Sequence, residues 1–201
     1  MTAGQRFARL VTVLVVRVPL LWRVFRRPLT RNFDRLAPEW DSTRVSRERL
    51  APMVAALESL PDPPARALDV GTGTGAVARL VAELWPAAEV TGVDASAGMI
   101  AEARRLGSER YEVADASRLP FDAASFDLVT LNNMIPFFDE LERITKPGGL
   151  LAIAFSMGPR TPIWVPLATV RSNLERRGFA HVADFFVGPG VALLARKDEV
   201  S

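Results

Sequence analysis

The chain has 201 residues, 49 % of them apolar, which is enough to bury one substantial core and too apolar for a disordered segment. Its 25 basic and 23 acidic side chains leave a formal charge of only +2, so net charge alone does not point to a polyanionic partner. There is no cysteine and a single histidine, His181, which excludes disulfides, thiolate ligands and cysteine nucleophiles and gives no reason to expect a transition metal.

The first predicted element is a basic amphipathic arm. Arg6, Arg9, Arg17, Arg23, Arg26, Arg27 and Arg31 all precede the first acid, Asp34. Phe7, Leu10, Val11, Leu14, Val18, Leu21, Trp22 and Phe25 fall along one side of a helical projection, with most arginines on the other. Arg17 interrupts the apolar run, which is shorter than the ~20 residues a bilayer span needs. Arg17, Pro19 and the lack of a small-x-small cleavage site disfavour a signal peptide. Two readings stay open. Residues 5–27 form an interfacial helix on a membrane surface, or the helix packs on its own domain or a second subunit. Nucleic acid is the weaker partner, because phosphate contacts do not call for so large an apolar face. Residues 32–41 then lead into a helix with Leu50, Met53, Val54 and Leu57 on one face, ended by Pro61-Asp62-Pro63-Pro64. The expected division is an arm and lead-in over residues 1–41 and a main domain over 42–201. The oligomeric state is left open.

Next comes Ala67-Leu68-Asp69-Val70-Gly71-Thr72-Gly73-Thr74-Gly75, followed by a helical segment from Ala76 to Leu84. Strand, glycine loop and helix in that order build a nucleotide site at the carboxyl ends of an α/β sheet. Gly71-x-Gly73-x-x-Ala76 also fits the dinucleotide fingerprint. Asp69, however, would repel a pyrophosphate and attract an ammonium group. With its third glycine at Gly75, the motif resembles the first motif of the class I S-adenosylmethionine-dependent methyltransferases.

The following strands carry the same pattern. Glu89-Val90-Thr91-Gly92-Val93-Asp94 ends in an acid ~20 residues past the loop, where a carboxylate can accept hydrogen bonds from both ribose hydroxyls. Ser96 is a predicted N-cap. Residues 109–115 form a third strand-like run, ending in Asp115. Phe126 to Leu131 is strand four and Phe137 to Thr145 a short helix. Lys146-Pro147-Gly148-Gly149 is a sharp turn and Leu150 to Phe155 a buried central strand. Pro166 to Arg177 reads as a helix. Val182 to Val187 and Val191 to Arg196, joined by Gly188-Pro189-Gly190, read as a closing hairpin. His181, between helix and strand, reads as a structural or surface residue.

The resemblance spans roughly residues 33 to 196 and is reinforced by Phe126-Asp127-Leu128-Val129 and Pro147-Gly148-Gly149-Leu150-Leu151. It implies a doubly wound α/β Rossmann-like fold, with a mostly parallel seven-stranded sheet, a C-terminal antiparallel hairpin and helices on both faces. It implies S-adenosyl-L-methionine as cofactor, held by Asp69, Gly71, Thr72, Gly73 and Gly75 at the methionine end. Asp94 and Ala95 follow at the ribose, and Met99, Asp115 and Ala116 at the adenine. Residues 32–41 resemble the lead-in of the ubiquinone/menaquinone-biosynthesis type, which places Trp40 over the cofactor. The chain departs from that type in two ways. It lacks a histidine pair after strand four, and residues 156–181 leave no room for a long cap.

The acceptor site is then either open or roofed by the arm, and an open site beside an apolar, basic arm suits an apolar or lipid-like small molecule. Asn132, Asn133, Met134, Arg160 and Trp164 are candidate acceptor contacts. No catalytic base is identifiable. The implied enzyme is a methyltransferase, cytoplasmic or peripheral at the membrane. Two alternatives remain. An NAD(P)-dependent oxidoreductase would lack a Tyr-x-x-x-Lys pair, since Tyr111 is the single tyrosine. The other is a non-catalytic cofactor-binding partner.

Overall fold

Five parallel strands carry the acids and the glycine loop to one edge. The computed structural model describes residues 1–199, so the last two residues of the expected 42–201 domain lie outside the described residues. The strands are β1 (Arg66–Val70), β2 (Glu89–Asp94), β3 (Arg110–Val113), β4 (Phe126–Asn132), β5 (Thr145–Phe155), β6 (Phe179–Val187) and β7 (Gly190–Lys197). Their order is β3-β2-β1-β4-β5-β7-β6. β1 to β5 are parallel, whereas β7 runs antiparallel to both β5 and β6. The chain order reverses between β1 and β4, and a doubly wound sheet opens its ligand crevice at the carboxyl ends beside such a switch.

Alternation along each strand separates two cores. Leu68, Val70, Val129, Leu131, Leu151 and Ile153 face one way, against α1 (Ala3–Arg17), α2 (Trp22–Arg44), α6 (Phe138–Ile144) and α7 (Leu167–Glu175). Ala67, Val90, Leu128, Leu150 and Ala152 face the other way, against α3 (Arg47–Glu58), α4 (Ala76–Leu84) and α5 (Ala97–Leu106). A side-chain period of two makes both faces apolar, which is why these strands read as continuous hydrophobic runs. Met53 and Leu57, on the expected inner face of α3, are fully buried.

Three expectations are revised. Lys146 to Gly149 is not a free turn. Thr145 already pairs with Phe126, and a register shift before Leu128 absorbs the extra residues, with Gly148 at φ +72°. The arm is not one helix over Phe7 to Phe25. Pro19 has no amide hydrogen to continue α1, so the chain turns through a short 3-10 segment (Pro19–Leu21) and starts α2 in a new phase. As a result Ala8, Val11, Thr12 and Val15 are buried, while Phe7, Leu10 and Val18 face outward. Thr2 and Gln5 form a capping box at the start of α1. Finally, α2 carries the chain past residue 41 as one helix. The inner side of the arm packs on its own domain, joining the core that holds Leu68 and Leu151.

Candidate active site

Three glycines with positive φ shape the loop after β1: Gly71 (+72°), Gly73 (+55°) and Gly75 (+84°). A Cβ at Gly75 would lie 2.5 Å from the Tyr111 hydroxyl, so both backbone and neighbour require glycine there. The amides of Gly71 and Thr72 donate to the Val93 carbonyl at 2.8 and 2.9 Å. The Gly73 amide donates to Asp94 Oδ2 at 3.0 Å. A Cβ at Gly73 would meet nothing nearer than Trp40 Nε1 at 3.8 Å, which leaves a small cradle between loop and Trp40. Trp40 packs edge-on against Phe33, and the Arg44 guanidinium lies 4.9 Å from its ring.

Asp69 sits beneath this loop rather than in the crevice. It is 2 % exposed, and its oxygens accept from the Thr72 hydroxyl at 2.6 Å and the Thr130 hydroxyl at 2.8 Å. Burial pushes its pKa up to about 6 against the pull of those two hydroxyls, and the nearby Asp94 adds to the rise. The side chain expected to face an ammonium group thus braces the loop. Thr72, expected to touch cofactor through the same loop, turns its hydroxyl inward to Asp69.

Asp94 ends β2 at the crevice. Oδ1 accepts from the Ser96 amide at 2.8 Å and Oδ2 from Gly73, so each oxygen keeps a lone pair for a ligand hydroxyl. Burial raises its pKa, the Ser96 and Gly73 amides oppose that, and Asp34 adds to it. Ser96 caps α5 by accepting from the Met99 amide at 3.1 Å. Ala95 lines the crevice. Met99, expected at the adenine, is only 1 % exposed and is not among the residues lining this crevice.

Asp115 is held by the arm. Trp22 Nε1 donates to Oδ1 at 2.7 Å, Arg26 pairs with Oδ2, and the Ser117 amide and hydroxyl donate at 3.0 and 2.8 Å. Burial disfavours its charge, but these donors outweigh burial and hold the carboxyl below its ordinary range. Ala116 is buried beside it. Between α2 and the ends of β2 and β3 lies a cleft of about 430 Å³, lined by Arg26, Arg27, Thr30, Ala95, Ala114 and Asp115. A larger hollow of about 610 Å³ lies between α4, α5 and the turn before β3, and it includes no glycine-loop residue and none of Asp69, Asp94 and Asp115.

The acceptor candidates divide. Met134 covers Gly71, where a Cβ would lie 2.6 Å from its sulfur. Asn133, at φ +56°, spans β4 and β5: its amide nitrogen donates to Ser156 Oγ at 2.8 Å and its carbonyl accepts from the Ser156 amide at 2.9 Å. Its side chain is therefore a brace. Asn132 reaches Ser156 Oγ only at 3.5 Å. Trp164 stacks edge-on against Phe155 at 4.9 Å, and Arg160 is exposed. Of the two geometries expected here, the arm roofs this side. Arg9 donates to the carbonyls of Pro159, Thr161 and Pro162, and Trp22 packs edge-on against Phe137 at 5.5 Å.

Two residues were missed by sequence reasoning. Asp34 Oδ1 accepts from Ser96 Oγ at 2.6 Å and the Gly98 amide at 3.0 Å. Asp41 Oδ1 accepts from Thr74 Oγ1 at 2.9 Å and pairs with Arg79 at 3.3 Å. Their seven-residue spacing puts them on one helix face, the signal that could have found them. Together they lay α2 across the crevice.

Comparisons agree with this geometry. Residues 68–153 match the family model described as methyltransferase domain. The chain is 35 % identical over 187 residues to the malonyl-acyl-carrier-protein O-methyltransferase of Geobacter sulfurreducens, covering 85 % of this chain and 69 % of that protein. The enzyme of that name from Gallionella capsiferriformans is 33 % identical over 190 residues, with 83 % and 65 % covered. The demethylmenaquinone methyltransferase of Beutenbergia cavernae is 41 % identical over 113 residues, with 52 % and 45 % covered. The chain thus spans about two thirds or less of the length of these relatives. A SAM-dependent methyltransferase structure from Aquifex aeolicus superposes with a TM-score of 0.64 at 22 % identity, covering 83 % of this chain and 97 % of that one, and shows the shared fold.

Proposed function

The chain belongs to the S-adenosylmethionine-dependent methyltransferase family, and from that premise we propose that it moves a methyl group onto a small apolar or lipid-like acceptor. The observation that carries this reading is the Gly73 amide committed to the Asp94 carboxylate. A pyrophosphate would need that amide and would meet Asp94 instead, which disfavours the NAD(P) alternative. A ribose diol, which donates, suits the remaining lone pairs of Asp94. Asp94 is the acid that faces the crevice with free lone pairs, and the Gly73 cradle leaves space for a ligand.

S-adenosylmethionine, when bound, supplies an electrophilic methyl on a sulfonium. The chain's own contribution is binding, alignment and exclusion of water. Asp94 would hold the ribose hydroxyls, with Ala95 beside them. Asp115 and the Ala116 backbone would meet the adenine. Gly71, Gly73 and Gly75 would let the backbone approach the methionine end, with Trp40 covering Gly73. Asp69 and Thr72 would keep the loop in shape.

The acceptor side supports the apolar reading. Ile135, Phe137, Ile163 and Val165, which follow β4 and β5, are buried in the same apolar cluster as Val11, Val15 and Trp22 of the arm. Of the substrates in the relatives' names, a quinone suits apolar surroundings of this kind. Met134, Asn132 and Trp164 remain the acceptor contacts of this reading. Peripheral contact with a membrane through residues 5–27 belongs to it too. No helix among the described residues is long and apolar enough to cross a membrane.

The test is thermal unfolding with S-adenosylhomocysteine and, in parallel, NADH. At about 100 times Kd, binding adds about 2.7 kcal/mol, which raises the midpoint of a domain this size by roughly 5–10 °C. A rise with S-adenosylhomocysteine alone is the expected result, and a rise with NADH alone overturns the reading.

A further inference from the structure

The two sides of the arm differ in chemistry. The inner side is buried in the domain core. Directly opposite it on α1 run Arg6, Leu10, Val13 and Arg17, spaced four, three and four residues apart, which is one exposed helix stripe. On α2 the stripe opposite Trp22 and Leu29 holds Val24, Arg27 and Arg31, all exposed. Val18, Pro19 and Leu20 project at the corner between the helices. Leu20 is 68 % and Val24 66 % exposed, the most open apolar side chains of the arm. Residues 1–33 contain seven arginines and no acid. Of these arginines only Arg26 forms an ion pair among the described residues.

The geometry points to the α1–α2 corner as a docking surface for an anionic lipid bilayer. Leu20 and Val24 enter the acyl boundary, while Arg17 and Arg23 beside them meet lipid phosphates. A protruding apolar corner set in unneutralised arginines fits an interface that is apolar inside and negative at its surface. Nucleic acid would match the charge and leave the apolar tip in water. A convex corner also offers no groove for a partner helix. Arg27 and Arg31 belong both to the exposed stripe and to the wall of the cleft beside Asp115. Docking at the corner therefore brings the mouth of that cleft to the lipid surface, where an apolar acceptor would be dissolved. The inference deepens the membrane part of the proposed function. Its test reads lipid binding without methyl transfer, so its failure leaves the methyltransferase reading standing.

The experiment is co-sedimentation of the full chain with vesicles of phosphatidylcholine alone or with 30 mol% phosphatidylglycerol (roughly one anionic lipid in three). Two variants accompany it, Arg17→Gln/Arg23→Gln and Leu20→Asp. All three sites are exposed and lie outside the cofactor site, so unfolding midpoints should match the parent, and this is checked first. The expected result is binding to the anionic vesicles only. Each arginine removed near an anionic surface weakens binding roughly fivefold, about 25-fold for the pair. Leu20→Asp should abolish the salt-resistant part of binding. Absence of binding to anionic vesicles overturns the inference. So does binding that neither variant changes. If Leu20→Asp has no effect and the chain binds polyglutamate beads as well as vesicles, the corner is a charge patch for an acidic protein, which also overturns it.

Discussion

Asp69 ties the stability of the fold to pH. Its pKa stands at about 6 in the folded chain against an ordinary 3.8, chiefly because burial opposes its charge. The folded state therefore holds that proton more tightly than the unfolded chain does. Stability must fall as pH rises from about 4 to about 6 and level off above. A rise of about two units corresponds to about 3 kcal/mol. Asp69→Asn removes the titration while keeping the shape. Its carbonyl still accepts from one threonine hydroxyl, though its amide now faces the other, which offsets about 1 kcal/mol. The expected outcome is that the difference in unfolding free energy between parent and Asp69→Asn changes by about 2 kcal/mol across this window, and that the variant is the more stable at pH 7. In midpoint terms the relative change is roughly 4–8 °C. The assay is urea unfolding of both proteins at half-unit pH steps, with the slope in denaturant checked to be equal. Taking the difference cancels every acid that does not interact with Asp69, and only its neighbour Asp94 is left coupled to the substitution. Parallel stability curves between pH 4 and 6.5 would refute the argument, because Asp69 would then be no more strained by burial than in the unfolded chain.

Three further outcomes are expected. Asp94→Ala removes the acceptor for both ribose hydroxyls and orphans the Gly73 amide, so calorimetric affinity for S-adenosylhomocysteine should fall by about 1.5–3 kcal/mol. Gly75→Ala forces a Cβ into a left-handed residue and against the Tyr111 hydroxyl, and should cost about 2–4 kcal/mol in urea unfolding. Trp22→Phe keeps the ring packed on Phe137 but removes one donor from Asp115, and should cost about 1 kcal/mol at pH 7. Because Asp115 titrates below its ordinary range when folded, its stabilising effect is present above the unfolded pKa. It is lost as pH falls through the folded value, so the Trp22→Phe deficit should shrink at acid pH.

The strand, loop and acid pattern was legible because it is local. A period of two marks Leu68 and Val70, Gly75 must be glycine for its own φ, and Asp94 and Asp115 follow directly on their strands. The closing hairpin was legible in two strand-like runs around Gly188-Pro189-Gly190, while the sheet class was what the resemblance implied. Long-range partners were not legible. Nothing near Asp115 in sequence announces Trp22 and Arg26, which lie 93 and 89 residues away. Asn133 looked like a pocket residue after β4, and only its pairing with Ser156 across β4 and β5 makes it a brace.

The sequence by itself determined the strand, glycine-loop and helix unit and with it the position of the crevice, since these depend on backbone conformation and on residues adjacent along one strand, and the resemblance carried by those residues implied the fold class and the ligand. The tertiary structure alone decided which side chains face that crevice. It turned Asp69 inward onto two threonine hydroxyls, buried Met99 of α5, and laid Asp34 and Asp41 across the strand ends. It also set the phase of the arm, because the break at Pro19 rotates α2 relative to α1. Which apolar residues of the arm point inward and which toward solvent depends on that rotation and on the surface the helices meet, and neither is written in any single stretch of chain.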